Sequence, residues 1–304
     1  MHKKHVLISG ADGYIALHAA EHLKKNGYKV TRATRSTNSD VEMEFSKPKA
    51  IADLKMSGID AMIHTVTPNE MLYKSDPYSA ISENAIGIHA ALDFCVNNRI
   101  KDFIYISSFH IFGNKEGVLN EHIEGSPIND YGLSHYNAEQ TVKMFDRANK
   151  LNTWIIRPSN LFGVPYDLKK FKRWNLIPFS FCLEAVDYNK ITLLTPGTQY
   201  RNFVGIFDVC NKLQWLLENR PKERIIHANG KETMNVFQYA SLVKKVAWDH
   251  FQMHIEIIKP ENNELIRQFE FSSIFSEAEL KPVMELEIFV KELLTVLISR
   301  SGKE

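Results

Sequence analysis

The chain has 304 residues, enough to bury a core without disulfides or metal, and at about 150 residues per domain it predicts one large α/β domain or two smaller ones. Hydrophobic residues make up 44% and charged residues 24%, with 14 glycines and 11 prolines, which excludes collagen-like, low-complexity and disordered classes. Lys plus Arg number 37 against 36 Asp plus Glu, and a net charge of +1 gives no broad positive field, so neither nucleic acid nor an anionic membrane is an expected partner.

Cys95, Cys182 and Cys210 are odd in number, far apart and without a CxxC or a His-rich neighbour. They read as buried thiols in a reducing compartment, and no metal site is expected. The basic start is followed by an apolar run that breaks at Gly10 and Asp12, short of the ~7–15 residues of a signal-peptide core. No run reaches the ~18 apolar residues of a membrane helix, so the expected location is cytoplasmic.

In chain order, His5–Ser9 (HVLIS) is an apolar run too short for a helix, and it stops at a glycine-rich turn before a helical pattern over 15–26. Gly27 ends that helix and Lys29–Thr34 (KVTRAT) reads as a second strand, closing a βαβ unit of about 30 residues. The alternation continues with a strand over 61–66, a helix over 78–97, a strand over 103–107, a helix over 131–150 and a strand over 153–157. Such alternation predicts a parallel sheet covered on both faces, a doubly wound α/β fold. Beyond residue 158 the pattern loosens: Pro158, Pro165, Pro178 and Pro196 punctuate shorter elements, with helices expected over 209–219, 236–251 and 284–297.

Gly10-Ala11-Asp12-Gly13-Tyr14-Ile15-Ala16 lies between the first strand and first helix, where glycines let the backbone approach a pyrophosphate resting on the helix N-terminus. The alternative is a tight turn with no ligand. Ser9 through Ala16 resembles the N-terminal signature of extended short-chain dehydrogenase/reductases of the NAD-dependent epimerase/dehydratase group. The resemblance implies a Rossmann-type lobe over 1–165, a smaller α/β substrate lobe over 166–304 packed on and interleaved with it, and an NAD(P) cofactor held by Gly10, Asp12, Gly13, Tyr14 and Ile15. NAD-preferring members usually end the second strand with an acid that binds the ribose 2′-OH. That position is Thr34 here, followed by Arg35, a cation able to pair with a 2′-phosphate, so NADP is expected ahead of NAD. A solvated strand-end charge is the other reading of Arg35. Glu44 and Phe45, in VEMEF, match the acidic-then-apolar pair that flanks adenine in the family.

Further matches follow in order. Residues 60–64 (DAMIH) resemble the family strand that ends in a histidine beside the cofactor, His64 with Thr65 after it, and Asn84 with Gly87 resembles the Asn-x-x-Gly of the next helix. Residues 105–113 (YISSFHIFG) resemble the serine-bearing strand with Ser107 and Ser108, and residues 157–163 (RPSNLFG) the next one, with Pro158 and Asn160. The resemblance makes Tyr131 the general acid/base that exchanges a proton with the substrate while hydride moves at nicotinamide C4, with Ser108 holding the same oxygen. The family lysine four residues after the tyrosine lowers its pKa and holds the ribose; this sequence has His135 there. Spacing of four puts His135 on Tyr131's helix face, but a free imidazole titrates near ~6.5 against ~10.4 for lysine and supplies less charge. Three readings stay open: a site tuned by histidine, a site using another base, and a relative without catalysis.

Dehydratases of the group usually carry Asp-Glu after the serine; Phe109-His110 stands here, which disfavours 4,6-dehydration. His110 is either an acid/base for epimerisation or a packing residue at a strand end. Residues 175–179 (NLIPF) resemble the NLxPY stretch, so Asn175 and Leu176 are implied in nucleotide-diphosphate binding, and residues 199–204 (QYRNFV) resemble RDFxxV, whose arginine, here Arg201, binds a phosphate. Asn202 replaces the family aspartate, and a second phosphate arginine has no clear match, Arg267 lying in that part of the chain without its usual context. The resemblance implies a nucleotide-sugar substrate and a homodimer formed by the helices at 78–97 and 131–150 in a four-helix bundle.

Overall fold

The computed structural model describes residues 3–36, 39–261 and 268–302, so Arg267 lies outside the described residues. In chain order the elements are β1 (His5–Ser9), α1 (Tyr14–Lys25), β2 (Lys29–Thr34), β3 (Val41–Glu42), α2 (Pro48–Ala52), β4 (Ala61–His64), α3 (Glu70–Ser75), α4 (Pro77–Asn97) and β5 (Asp102–Ile106). After a 3-10 turn at Phe109–Phe112 come β6 (Gly117–Leu119), α5 (Asp130–Arg147), β7 (Asn152–Pro158), β8 (Asn160–Phe162), α6 (Ile177–Tyr188), β9 (Lys190–Thr192), β10 (Tyr200–Gly205) and α7 (Ile206–Asn219). The chain ends through β11 (Ile225–Ala228), β12 (Glu232–Asn235), α8 (Val236–Phe251), β13 (Glu256–Ile258), β14 (Phe269–Phe271) and α9 (Leu286–Ser301).

Two compact units divide the chain, the first drawing on residues up to Lys115, Glu121–Pro158 and Cys210–His227. Its parallel sheet of seven strands runs β11-β7-β5-β4-β1-β2-β3, with β1 pairing β2 on one side and β4 on the other. The order therefore reverses at β1 and β4, the switch point outside whose carboxyl ends open α/β sheets bind ligands. Central strands read as continuous apolar runs because helices cover both faces: β4 and β5 are buried at every residue. Cys95 and Cys210, both buried and not in a disulfide, belong to this unit.

The second unit comprises Glu116–Asn120, Ser159–Val209 and the chain from Ala228 onward. A three-stranded sheet, β12-β10-β8, is joined by the pairs β13-β9 and β14-β6. Helices α6, α8 and α9 pack on one another around an aromatic core, in which Phe289 meets Phe162 and Phe179 with ring centroids 5.3 and 5.6 Å apart. The helix α6 was not expected from the sequence. Pro178, read there as punctuation, occupies its first turn, where a missing N–H breaks no intrahelical bond.

Candidate active site

At the switch point Gly10 takes a left-handed φ of 71°, and a Cβ there would stand 2.7 Å from Thr65 Oγ1, so only glycine permits the approach. Thr65 in turn donates to the Ser9 carbonyl at 2.8 Å. Gly13 caps α1 without a side-chain bond, and no acid stands in the first turn, while His22, Lys24 and Lys25 lie in the last. Such a start, with backbone donors and the positive end of the helix dipole, suits a phosphate. Tyr14 and Ile15, half-buried, begin the helix.

The carboxyl end of β2 meets this loop: Ala11 N–H donates to the Ala33 carbonyl, and the Thr34 and Ser36 hydroxyls each donate to Asp12 Oδ2 at 3.3 Å. Arg35 points its charge into solvent and lowers the Glu44 carboxyl pKa only as a minor contribution behind Lys47. Phe45 is buried with its ring edge-on to His64, at 5.0 Å. His64 is fully enclosed, its Nδ1 2.8 Å from Ser9 Oγ, and burial pulls its pKa down to about 3.

The second half of the site forms where β5 runs into α5. Ser108 follows β5, and its Oγ accepts from His110 N–H at 3.2 Å. The Asn129 side chain caps α5 by accepting from Gly132 N–H at 2.8 Å. Gly132 is required, because a Cβ there would lie 2.5 Å from the His110 carbonyl oxygen. That close approach sets Tyr131 edge-on to His110, with centroids 5.5 Å apart, and one turn later His135 lies edge-on to Tyr131 at 4.7 Å. Three of the expected catalytic side chains, from two elements, thus form one cluster.

Behind them is a layer of which the sequence names Asn84 and Ser107 but not Tyr105, Ser134 or Glu139. The Tyr105 hydroxyl lies 2.8 Å from His135 Nδ1, both residues being buried. Burial raises the Tyr105 phenol pKa well above its ordinary value, and the charge of Glu139 raises it further, against an opposing hydrogen bond from Asn84. Asn84 donates to the Ser134 carbonyl and hydroxyl at 3.1 and 2.9 Å, and Tyr73 donates to the same hydroxyl at 2.8 Å. These bonds pin the turn of α5 that carries His135.

One turn further, Glu139 takes a bidentate pair of bonds from Arg157 at 2.9 and 2.7 Å and a third from the Ser107 hydroxyl at 2.7 Å. Burial pushes the Glu139 carboxyl up, but these bonds and the guanidinium charge outweigh it and hold the group below the usual carboxylate range. Ser107 is therefore directed into the protein interior. Pro158, buried, ends β7 directly after Arg157.

In the second unit, Asn160 donates to the Asn202 carbonyl at 2.9 Å. The buried Asn202 side chain accepts from Ser159 Oγ and Gly230 N–H and donates to Thr233 Oγ1 and the Gly230 carbonyl. An aspartate could accept but not donate those bonds, which accounts for the amide at this position. Asn175 is exposed and Leu176 caps α6 without a side-chain bond. Arg201 is half-buried, and its one partner among the described residues is the Tyr200 carbonyl at 3.0 Å. Burial pulls its guanidinium below the ordinary value.

A family model described as the NAD dependent epimerase/dehydratase family matches residues 6–235. The chain belongs to that family, whose members bind NAD(P). It is 23% identical over 268 residues to a trifunctional UDP-glucose 4,6-dehydratase/UDP-4-keto-6-deoxy-D-glucose 3,5-epimerase/UDP-4-keto-L-rhamnose-reductase of Arabidopsis thaliana, covering 80% of this chain and 39% of the relative. The chain thus spans well under half of that relative's length. Among solved structures, RMD from Pseudomonas aeruginosa complexed with NADPH superposes with a TM-score of 0.81 at 17% identity, covering 98% of this chain and 100% of the other. MoeE5 in complex with UDP-glucose and NAD superposes with a TM-score of 0.78 at 16% identity, covering 98% and 99%. Both likenesses are of fold.

Proposed function

We propose that the protein is an NAD(P)-linked oxidoreductase or epimerase acting on a nucleotide-activated keto-sugar, with Tyr131 as its general acid/base. The observation that carries this reading is the cluster of Tyr131, His135 and His110, set by the Gly132 approach beside Ser108. The glycine loop fits a dinucleotide, since α1 opens without side-chain cap or acid and Gly10 leaves no room for a side chain. When bound, the nicotinamide supplies or takes the hydride.

The Tyr131 hydroxyl gives its proton to a substrate oxygen, or takes one from it, and the Ser108 hydroxyl, whose lone pair is engaged by His110 N–H, donates to the same oxygen. Tyr105, kept protonated by burial, donates to His135 Nδ1. With Nδ1 accepting, the ring N–H of His135 lies on Nε2 and can donate to a ribose hydroxyl where the family lysine would stand. With Phe109 and His110 after the serine, the pair of carboxylates that a dehydration would use is missing, so the reading is reduction or epimerisation. Arg201, desolvated and without an acid partner among the described residues, holds a substrate phosphate, with Asn160, Asn175 and Leu176 on the same unit.

For the cofactor, Thr34 and Arg35 favour the 2′-phosphorylated form, and the setting of Asp12 opposes it. The exposed apolar residues Ile86, Val96, Leu133 and Met144 on α4 and α5 support a homodimer through these helices, which sedimentation would test. The reading of the site is tested by thermal-shift titration with NAD(H) and NADP(H), then with UDP-, GDP-, TDP- and CDP-sugars on the tighter complex, because ligands of the folded state alone raise its stability. A rise with a dinucleotide and with one nucleotide class is expected; no rise with any dinucleotide overturns the reading. The substitution of histidine for lysine favours a second reading, a dinucleotide-binding protein without hydride transfer. That reading predicts ligand binding without turnover, both in the native protein and in His135→Lys.

A further inference from the structure

We infer that Asp12, not a residue of β2, is the acid that reads the cofactor ribose, and that it makes the protein select NAD over NADP. The inference rests on the dinucleotide reading above and reverses the preference expected from Thr34 and Arg35. In βαβ dinucleotide sites the residue at the carboxyl end of the second strand decides the matter: an acid there accepts from the ribose 2′-OH, and a cation there accommodates a 2′-phosphate. Thr34 occupies that place here and carries no charge. Its hydroxyl, however, donates at 3.3 Å to Asp12 Oδ2, and the Ser36 hydroxyl donates to the same oxygen at 3.3 Å.

Two hydroxyls from the strand end therefore fix the carboxylate of the glycine loop where the missing strand acid would stand. The loop itself is tied to β2 by the Ala11 N–H bond to the Ala33 carbonyl at 3.1 Å, so Asp12 is anchored from both directions. The opposing cation is placed less well. Arg35 is exposed, and among the described residues it forms no ion pair, so its charge acts through solvent. Arg32, the other arginine of β2, is turned to Asp40, which accepts from its backbone N–H at 2.8 Å and from its guanidinium at 3.5 Å.

A ribose 2′-OH can donate to the Asp12 carboxylate. A 2′-phosphate brings like charge against a group that is held in place and half-buried, and a solvent-screened arginine offsets little of that repulsion. The choice of cofactor is thereby carried by a loop residue 22 positions before the strand end.

The test is calorimetric binding of NAD+ and NADP+ to the whole chain, to Asp12→Asn, and to Asp12→Asn with Arg35→Ala, each first shown to melt cooperatively. The native protein is expected to bind NAD+ about tenfold or more tighter than NADP+, and Asp12→Asn to shift that ratio toward NADP+ by a similar factor. Arg35→Ala in that background should lower NADP+ affinity by less than Asp12→Asn raised it. Thr34→Val, which keeps the carboxylate but deletes one of its anchors, should shift the ratio in the same direction by less. A native preference for NADP+, or a ratio unmoved by Asp12→Asn, overturns the inference while leaving the dinucleotide reading intact. Binding of neither dinucleotide overturns both.

Discussion

Two arginines, one in each unit, show how differently this protein treats a guanidinium withdrawn from water. Arg157 is 2% exposed, lies with its guanidinium 5.3 Å from the Phe112 ring centroid, and is met by both oxygens of Glu139. Arg201 is half-buried and is met, among the described residues, by one carbonyl. A charge matched internally fixes the structure around it, here the ends of β5 and β7 against α5. A desolvated charge without a matching acid gains most from an anion supplied from outside. The first arginine braces α5, and the second is the one proposed to meet a substrate phosphate.

Removing the partner of the matched charge should have the largest effect. Glu139→Ala leaves Arg157 buried and uncompensated and is expected to cost about 3–5 kcal/mol in urea unfolding. Arg201→Ala, which deletes an ill-matched charge, should stay within about 1 kcal/mol of the native protein in the same experiment. Equal losses from the two variants would erase the distinction.

Acid titration sharpens it with a base that has no acid to meet. His64 is held at a pKa of about 3 by burial alone, against about 6.5 in the unfolded chain. Between these values the unfolded state binds a proton that the folded state does not, so stability rises with pH across that window. The contribution is complete above pH 6.5 and is lost as pH falls toward 3, at about 1.4 kcal/mol per unit, or about 2 kcal/mol between pH 6.5 and 5. His18, lowered by burial to about 4, adds a slope of the same sign. Comparing denaturant curves of the native chain and His64→Asn at pH 7 and pH 5 should show a smaller acid loss in the variant; identical losses would remove His64 as a source. The mildest effect is expected at Arg201: its alanine variant should bind the nucleotide sugar about tenfold more weakly while binding the dinucleotide as before.

Much of this framework is legible in the sequence because it is local. The strand, glycine turn and helix over residues 5–26, the second strand at Lys29–Thr34 and the helix at Val236–Phe251 follow from apolar period and punctuation alone. The long helices at Pro77–Asn97 and Asp130–Arg147 were displaced from expectation by no more than three residues at any end. Residues 166–205 were less legible, since Pro178 opens α6 instead of interrupting it, and β10 passes directly into α7 without turn residues between Gly205 and Ile206. The side chains proposed to react, with Asn84 and Ser107 behind them, were visible as motif positions; their buried partners Tyr105, Ser134 and Glu139 were not. Tyr105 and His135 are 30 positions apart, Ser107 and Glu139 are 32 apart, and Asp12 and Thr34 are 22 apart. No periodicity within one element encodes those distances; they exist only after strands have registered and α5 has packed on the sheet.

Whether Tyr131 moves the substrate proton is read from the turnover of Tyr131→Phe beside the native protein. Both would be saturated with the dinucleotide that binds tighter and with the nucleotide sugar that gives the largest thermal shift, following nicotinamide absorbance and the sugar product. Loss of the phenolic proton donor should lower kcat by about 100-fold or more while both ligands still bind, as expected for a general acid/base. Full turnover by Tyr131→Phe would contradict the account.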